Sequence, residues 1–558
     1  MDEDDRTPCV RRMKARPFLA AVLTAALLLL SLGGGFWWLA LRQSPLRLEQ
    51  QPLHLPLAAR FVPRTALLSL HLLVKPDDLV AYARAVAPPP QRREAAELMA
   101  NLRDGAFATA GLAYSSELAG WLGPDTSLAV IAPEGSGGPS GWLLALGCRE
   151  PEGARRFLQR FWQSRSLAGT ALQISSYRGM GLISGRGALA GQSSQPLATA
   201  LIDDQLVLIA SGRGVLEQAL DVSQIEELNQ AGQHSLQDAV GRLEKGVALL
   251  TARPQAFSDW LDLPTTLKGA EGVGDLVVAL MPDGRSLQLQ ALLPVRQPLQ
   301  QLQLDPLPDL PAQLRGPVAS LALIQDPASL LAEPGDQASA DLWNDLVGPL
   351  LRQTLSQLKG PLPSLVAAAN HGPLLGLRRE GGWMLGTAAS PLATEQLSPP
   401  LVQQGFSPAP LNRAGQTLQV WSRLEGRPSK GDPDRLQATL AGARFDQGET
   451  SWWGEGLAAL DDQLQGRQPA PRERIEQLQA LDSRGAPLQA ALAAGPAQDL
   501  LAPWHPWQLV SSLVGRPLLV GVQGLAFSLA IEPPLPEDSP PPLGPSSLLA
   551  LRARLELG

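Results

Sequence analysis

Residues 274–293, GDLVVALMPDGRSLQLQALL, decide the fold class. Two apolar runs flank Pro282-Asp283-Gly284, a turn with a mechanism: proline fixes φ and glycine accepts φ > 0. Leu287, Gln288, Leu289 and Gln290 alternate, as a strand with one buried face requires. The stretch therefore reads as a β-hairpin. Upstream, strands are predicted at 61–72, 126–132, 141–147, 171–177 and 198–211, the last turning at Asp203-Asp204. Helices are predicted from Pro76-Asp77-Asp78, over 91–102, from Pro151 and over 213–221, because proline or aspartate suits a first helical turn. Few segments look like a βαβ crossover. The expected class is α+β, built on antiparallel sheets with helices.

The second half echoes the first. LRGPVASLALIQDPASL (314–330) follows PRTALLSLHLLVKPDDL (63–79) in running from a strand into a proline-led helix. WMLGTAASPLATEQL (383–397) matches WLLALGCREPEGARRFL (142–158), and LQVWSRLEGR (418–427) matches LQISSYRG (172–179). LQAALAAGPAQDLLAPW (488–504) parallels VALLTARPQAFSDWL (247–261), and LLVGVQGLAFSLAIEP (518–533) parallels the hairpin. The shared order points to an internal duplication, with α+β repeats over 60–300 and 312–558. A proline-rich loop, 532–545, precedes a last strand (548–557) that turns Leu551, Ala553, Leu555 and Leu557 inward.

The chain has 558 residues, too many for one core. Residues 18–41, FLAAVLTAALLLLSLGGGFWWLAL, run 24 positions without a charge. As a helix this run is roughly 36 Å long, enough to cross a hydrocarbon layer of about 30 Å. Trp37 and Trp38 lie near its far end, where indole rings favour the headgroup layer. Arg6, Arg11, Arg12, Lys14 and Arg16 precede the run, and only Arg42 and Arg47 follow closely. That bias predicts a cytoplasmic tail (1–17), one transmembrane helix (18–41), a tether (42–59) and an exported body. A cleaved signal peptide ending near Ser31-Leu32-Gly33 is the rival reading, although the apolar run is long for one. The net charge of −7, with no basic block beyond the first sixteen residues, argues against nucleic-acid binding.

The residue inventory narrows the chemistry. The two cysteines, Cys9 and Cys148, flank the apolar run, so a disulfide framework is not expected. The five histidines, His54, His71, His234, His371 and His505, lack zinc-ligand spacing. Ser356 and Lys359 form an SxxK, the spacing that places a serine nucleophile one turn from a lysine, but companion SDN and KTG motifs are missing. Gly179, Gly181, Gly185 and Gly187 space as GxGxxxG, one residue too long for a dinucleotide fingerprint, and read as a turn between short strands. The pairs Asp77/Asp78, Asp203/Asp204, Glu226/Glu227 and Asp461/Asp462 are sequence neighbours that point apart, which suits caps and turns better than acid–base work. His71, with leucine on both sides, reads as a hydrogen-bonded core or edge histidine. Trp121, in a GWLGPD turn, reads as an anchoring aromatic. No catalytic, cofactor-binding or metal residue is assigned, and no enzyme activity or cofactor is expected.

FVPRTALLSLHL (61–72), ELAGWLGPDTSLAVI (117–131), ISSYRG (174–179) and ALIDDQLVLIASGRGVLEQAL (200–220), behind one N-terminal span, carry a resemblance. The chain resembles a cyanobacterial family of membrane proteins labelled domain of unknown function 3352. The resemblance implies a membrane-anchored, exported protein and supplies no activity, substrate or catalytic residue. The expected role is binding or scaffolding in envelope or thylakoid-membrane assembly, with the bulk in the periplasm or thylakoid lumen and a protein partner there. Two other classes stand beside it: a carrier of an apolar ligand between the repeats, and an envelope hydrolase acting through Ser356.

Overall fold

The computed structural model describes residues 44–132, 140–187, 195–260, 273–295, 310–331, 342–389, 391–426, 436–481, 483, 486–532 and 547–558. The tail 1–17, the apolar run 18–41, Cys9 and most of the proline-rich loop lie outside these residues. Among the described residues no helix is long and apolar enough to cross a membrane.

The fold is mixed α+β, dominated by one large antiparallel sheet. Its first ten strands are β1 (Leu68–Leu72), β2 (Leu122–Ile131), β3 (Gly141–Cys148), β4 (Leu172–Tyr177), β5 (Met180–Gly187), β6 (Gln195–Ile202), β7 (Leu206–Ala210), β8 (Ala248–Ala252), β9 (Leu276–Asp283) and β10 (Ser286–Val295). The next ten are β11 (Ser320–Ile324), β12 (Leu374–Arg379), β13 (Gly382–Ala388), β14 (Ser407–Arg413), β15 (Gln416–Gly426), β16 (Leu436–Gln447), β17 (Thr450–Gly454), β18 (Leu488–Ala493), β19 (Val522–Glu532) and β20 (Ser547–Leu557). In the first half the ladder runs β4-β5-β6-β7-β3-β2-β1-β8-β9-β10. In the second it runs β14-β15-β16-β17-β13-β12-β11-β18-β19-β20, the same order strand for strand. The halves join where β10 pairs with β20, from Ser286 opposite Glu556 to Val295 opposite Ser547. β4 and β14 are left as the outer edges. Pro408 and Pro410 in β14 lack the N–H groups that would recruit another strand.

Local chemistry explains the boundaries. The hairpin of 274–293 forms, but Pro282 and Asp283 stay in β9 and the turn falls on Gly284, with φ 56°, and Arg285. Asp203 and Asp204 both hold positive φ (47° and 58°) between β6 and β7, a backbone that aspartate tolerates. Of the predicted 61–72 strand, Leu68–Leu72 forms the strand, and Pro63 makes only an isolated bridge to Asn229. Pro63 has no N–H to continue a ladder, and 57–61 winds into a short 3-10 turn instead. The segment 42–59, predicted as a tether, is packed over its described part, with Leu48 1% and Ala59 0% exposed. In β20 the buried side chains are Leu549, Ala550 and Leu555, while Leu557 is exposed, so the inward set differs from the predicted one.

The helix Pro76–Val86 starts on its proline and stops at Ala87, held extended by the prolines that follow. The helix Arg92–Thr109 packs beside it and runs longer than predicted. The largest apolar cluster joins the halves: Leu68, Ala252 and Val295 share it with Ile324, Trp383 and Trp453.

Candidate functional site

β1 lies between β2 and β8, so His71 faces Ser127 on one side and Leu249 on the other, while Ser69 faces Ala129 and Thr251. Alternate residues of a strand share a face, which gathers Ser69, His71, Ser127 and Thr251 on one side of the sheet. Gln230 completes the group. Its backbone N–H donates to the Val62 carbonyl at 3.0 Å, fixing the segment over the sheet. All five side chains are buried, His71 fully so.

The hydrogen bonds fix the tautomer. His71 Nε2 lies 3.2 Å from the Gln230 carboxamide oxygen, which only accepts, so Nε2 carries the proton. Nδ1 then accepts from the Ser127 hydroxyl at 2.8 Å. Ser69 Oγ donates to the same carboxamide oxygen at 3.1 Å and sits 2.7 Å from Thr251 Oγ1. The Gln230 amide donates to Thr251 Oγ1 at 3.1 Å. Burial pushes the His71 pKa down to about 4, with the Gln230 bond opposing it only in part. A serine hydroxyl on a neutral imidazole has the makings of a nucleophile pair. Here Ser127 is 1% and His71 0% exposed, and no carbonyl carbon can reach the hydroxyl.

The second half carries the same ladder positions in apolar form. Leu321 faces Leu377 and Ala491, and Leu323 faces Leu375. By ladder position Ser69, His71, Ser127 and Thr251 correspond to Leu321, Leu323, Leu375 and Ala491, all buried. On its other side Leu323 faces buried Gln489, which donates to the Ser483 carbonyl at 2.8 Å, so the polar group here is a different one and the histidine network belongs to the first half.

Aromatic volume is exchanged in the opposite sense. Trp421 and Trp453 stack at 5.6 Å, both fully buried, where the matching ladder positions of the first half hold Gly185 and Ile209. The first half fills that layer from its helix Pro151–Leu167 with Phe157, Phe161 and Trp162. Trp162 donates its indole N–H to Thr199 Oγ1 at 2.8 Å. Among the described residues the indole N–H groups of Trp421 and Trp453 have no acceptor.

The remaining candidates are set apart from one another. Ser356 Oγ donates to its own helix at the Gln353 carbonyl, 2.8 Å away, while the Lys359 ammonium lies 3.7 Å from Glu455. Asp77 pairs with Arg103 and Asp78 with Arg47, in opposite directions. Asp204 pairs with Arg155, and Asp461 grips Arg413 through both oxygens at 2.8 and 2.7 Å. Glu226 and Glu227 lie in a short exposed 3-10 turn. Trp121 is 3% exposed, donates to the Glu117 carbonyl at 2.7 Å and packs on Phe157. Gly179 turns the β4–β5 hairpin at φ 81°. Cys148 is half-buried, and burial pushes its thiol up to about 11. Among the described residues no group of three His, Cys, Asp or Glu could hold a metal ion.

No curated protein matches the chain. Among solved structures, crystal form I of TP0453 aligns over 44% of this chain and 81% of its own, at 9% identity and a TM-score of 0.26. Crystal form III of TP0453 aligns over 44% and 79%, at 10% identity and 0.24. Likeness at that level lends this chain no role. The family model described as "Protein of unknown function (DUF3352)" matches residues 22–535, nearly the whole chain, and bears out the resemblance read from 61–72, 117–131 and 200–220. The chain belongs to the DUF3352 family.

Proposed function

We propose that this is a single-span, membrane-anchored protein whose α+β body works outside the cytoplasm by binding or scaffolding, with no chemistry of its own. The observation that carries the reading is where the folded body begins. Ser44 follows the uncharged run 18–41 by three residues, and Leu48 is already 1% exposed. A long apolar run joined this closely to a packed body suits an anchor better than a detachable leader. The titratable pairs support the rest, since Asp77, Asp78, Asp204 and Asp461 are each committed to a different arginine. On this reading the body faces the periplasm or a thylakoid lumen and holds a protein partner there. The identical strand order of β1–β10 and β11–β20 supports an ancestral duplication of one α+β unit. Protease added to right-side-out vesicles is expected to remove nearly all of the mass. A reporter fused after Gly558 that is active only in the cytoplasm would overturn the reading.

A second reading is a carrier for an apolar ligand between the halves. It is favoured by Trp421 and Trp453, whose donors are buried without acceptors in the cluster both halves share. Native mass spectrometry of the purified protein with no co-purifying lipid or pigment would dismiss it.

A further inference from the structure

An anchor that ends at Leu41 holds one end of the body close to the membrane. From Leu41 to Ser44 the chain spans at most about 10 Å, comparable with the headgroup layer itself. No slack separates the membrane from the elements around Ser44. The 3-10 turn Pro45–Gln50 packs on the helix Pro76–Val86: Arg47 pairs with Asp78 at 3.2 Å and the Tyr82 hydroxyl donates to Glu49 at 2.8 Å. That helix lies against Arg92–Thr109, which in turn carries the helix His505–Val514, with Arg516 paired to Glu94 at 3.1 Å. The four elements are contiguous, each packed on the next from the turn Pro45–Gln50 onward.

The last of them has a surface unusual for water, whereas Arg92–Thr109 exposes Arg93, Glu94 and Glu97. HPWQLVSSLV has no Asp, Glu, Lys or Arg, yet none of its residues is buried. Trp504 and Trp507 pack inward against Leu501 and Val522. Leu509 is 51% exposed, and Val520, just beyond, is 72% exposed. Alongside, Val80, Ala81, Ala85 and Ala96 line an open groove together with Arg84, Arg92 and Asp77, the last paired with Arg103. Neither Arg84 nor Arg92 pairs with a carboxylate among the described residues, although Arg92 touches the Ala87 carbonyl at 3.4 Å. An uncharged helix with Leu509 outward, beside guanidinium groups that pair with no described carboxylate, matches a headgroup layer: apolar below, phosphate above.

We propose that this end of the body rests on the lipid bilayer, with His505–Val514 seated at the headgroup level and Arg84 and Arg92 meeting lipid phosphates. The proposal rests on the anchored reading, and the test separates the two. The full chain, with Cys9→Ser and Cys148→Ser, takes one nitroxide at Leu509→Cys or, as reference, at Ile174→Cys on the β4 edge, 79% exposed. Cys148→Ala supplies a second background should the serine form fail to fold. In phosphatidylcholine/phosphatidylglycerol nanodiscs the label at 509 should collide with a water-soluble nickel chelate several-fold less often than the label at 174. Arg84→Glu with Arg92→Glu should narrow that difference. Equal collision at both sites in a chain that resists carbonate extraction would overturn the docking while leaving the anchor standing. A chain that carbonate extracts overturns both.

Discussion

Ala291 stands directly opposite Leu551 in the β10–β20 ladder, at the middle of the strand pair that, among the described residues, joins two halves of identical strand order. The apolar cluster beside this junction draws Leu68, Ala252 and Leu293 from one half and Ile324, Trp383 and Leu549 from the other. Neither half can shed the other without baring that cluster. Calorimetry is therefore expected to show one main transition. Ala291→Glu, which buries a charge at a 3% exposed position without a partner, should lower that transition as a whole, at a cost on the order of 3 kcal/mol or more. Two separate peaks, with only one moved, would contradict a shared core.

The His71 network makes stability depend on pH in a defined sense. The folded state holds this imidazole near a pKa of about 4, against about 6.5 in an unfolded chain. Between those values the unfolded state binds the proton and the folded state refuses it. Stability is thus full above about pH 6.5 and falls as pH drops towards 4, by roughly 3 kcal/mol in all. His71→Leu, the residue at the matching position of β11, should cost on the order of 1–3 kcal/mol at pH 7.5 by stranding Ser127 and Gln230. The gap between wild type and variant should close as urea titrations move from pH 6.5 to 4. A gap that stays constant would mean His71 is not buried neutral.

Much of this was legible in the chain, and the failures share a cause. Proline and glycine punctuation located the helix at Pro76 and the hairpin around Gly284, because both act through their own backbone. SLHL and SLAL, at 69–72 and 320–323, invite an alignment that sets His71 against Ala322. The ladder sets it against Leu323, because the linkers to the next helices differ in length and a one-residue slip exchanges the faces of a strand. By position LQVWSRLEGR likewise matches β5, which follows its own positive-φ turn at Arg178-Gly179 as β15 follows Ala414-Gly415. The leucines around His71 announced burial. Gln230, separated from it by 159 residues, was invisible until folding brought it over the sheet.

The two tryptophan environments should respond oppositely to the loss of one N–H. Trp421→Phe removes a buried donor that has no acceptor among the described residues, so the relief offsets part of the lost volume and stability should stay within about 1 kcal/mol. Trp162→Phe deletes the donor to Thr199, itself 1% exposed, and should cost about 1–3 kcal/mol by the same urea measurement. Equal losses at the two sites would imply that Trp421 has an acceptor after all.

Gly105 sets two effects of opposite sign against each other. In a free helix, alanine in place of glycine stabilises by roughly 0.5–1 kcal/mol. Gly105 lies in the helix Arg92–Thr109, where a Cβ would come 2.1 Å from the Leu513 carbonyl oxygen and 2.9 Å from its carbon. Both are backbone atoms that no rotamer change can move aside, so steric repulsion outweighs helix propensity. Gly105→Ala is expected to lift the helix His505–Val514 from its seat, raise amide exchange over 505–515 and lower the melting temperature. The β1–β8 ladder, far from this contact in the strand order, should exchange as before. A variant that melts higher than wild type, with 505–515 still protected, would show that the two helices do not touch at Gly105.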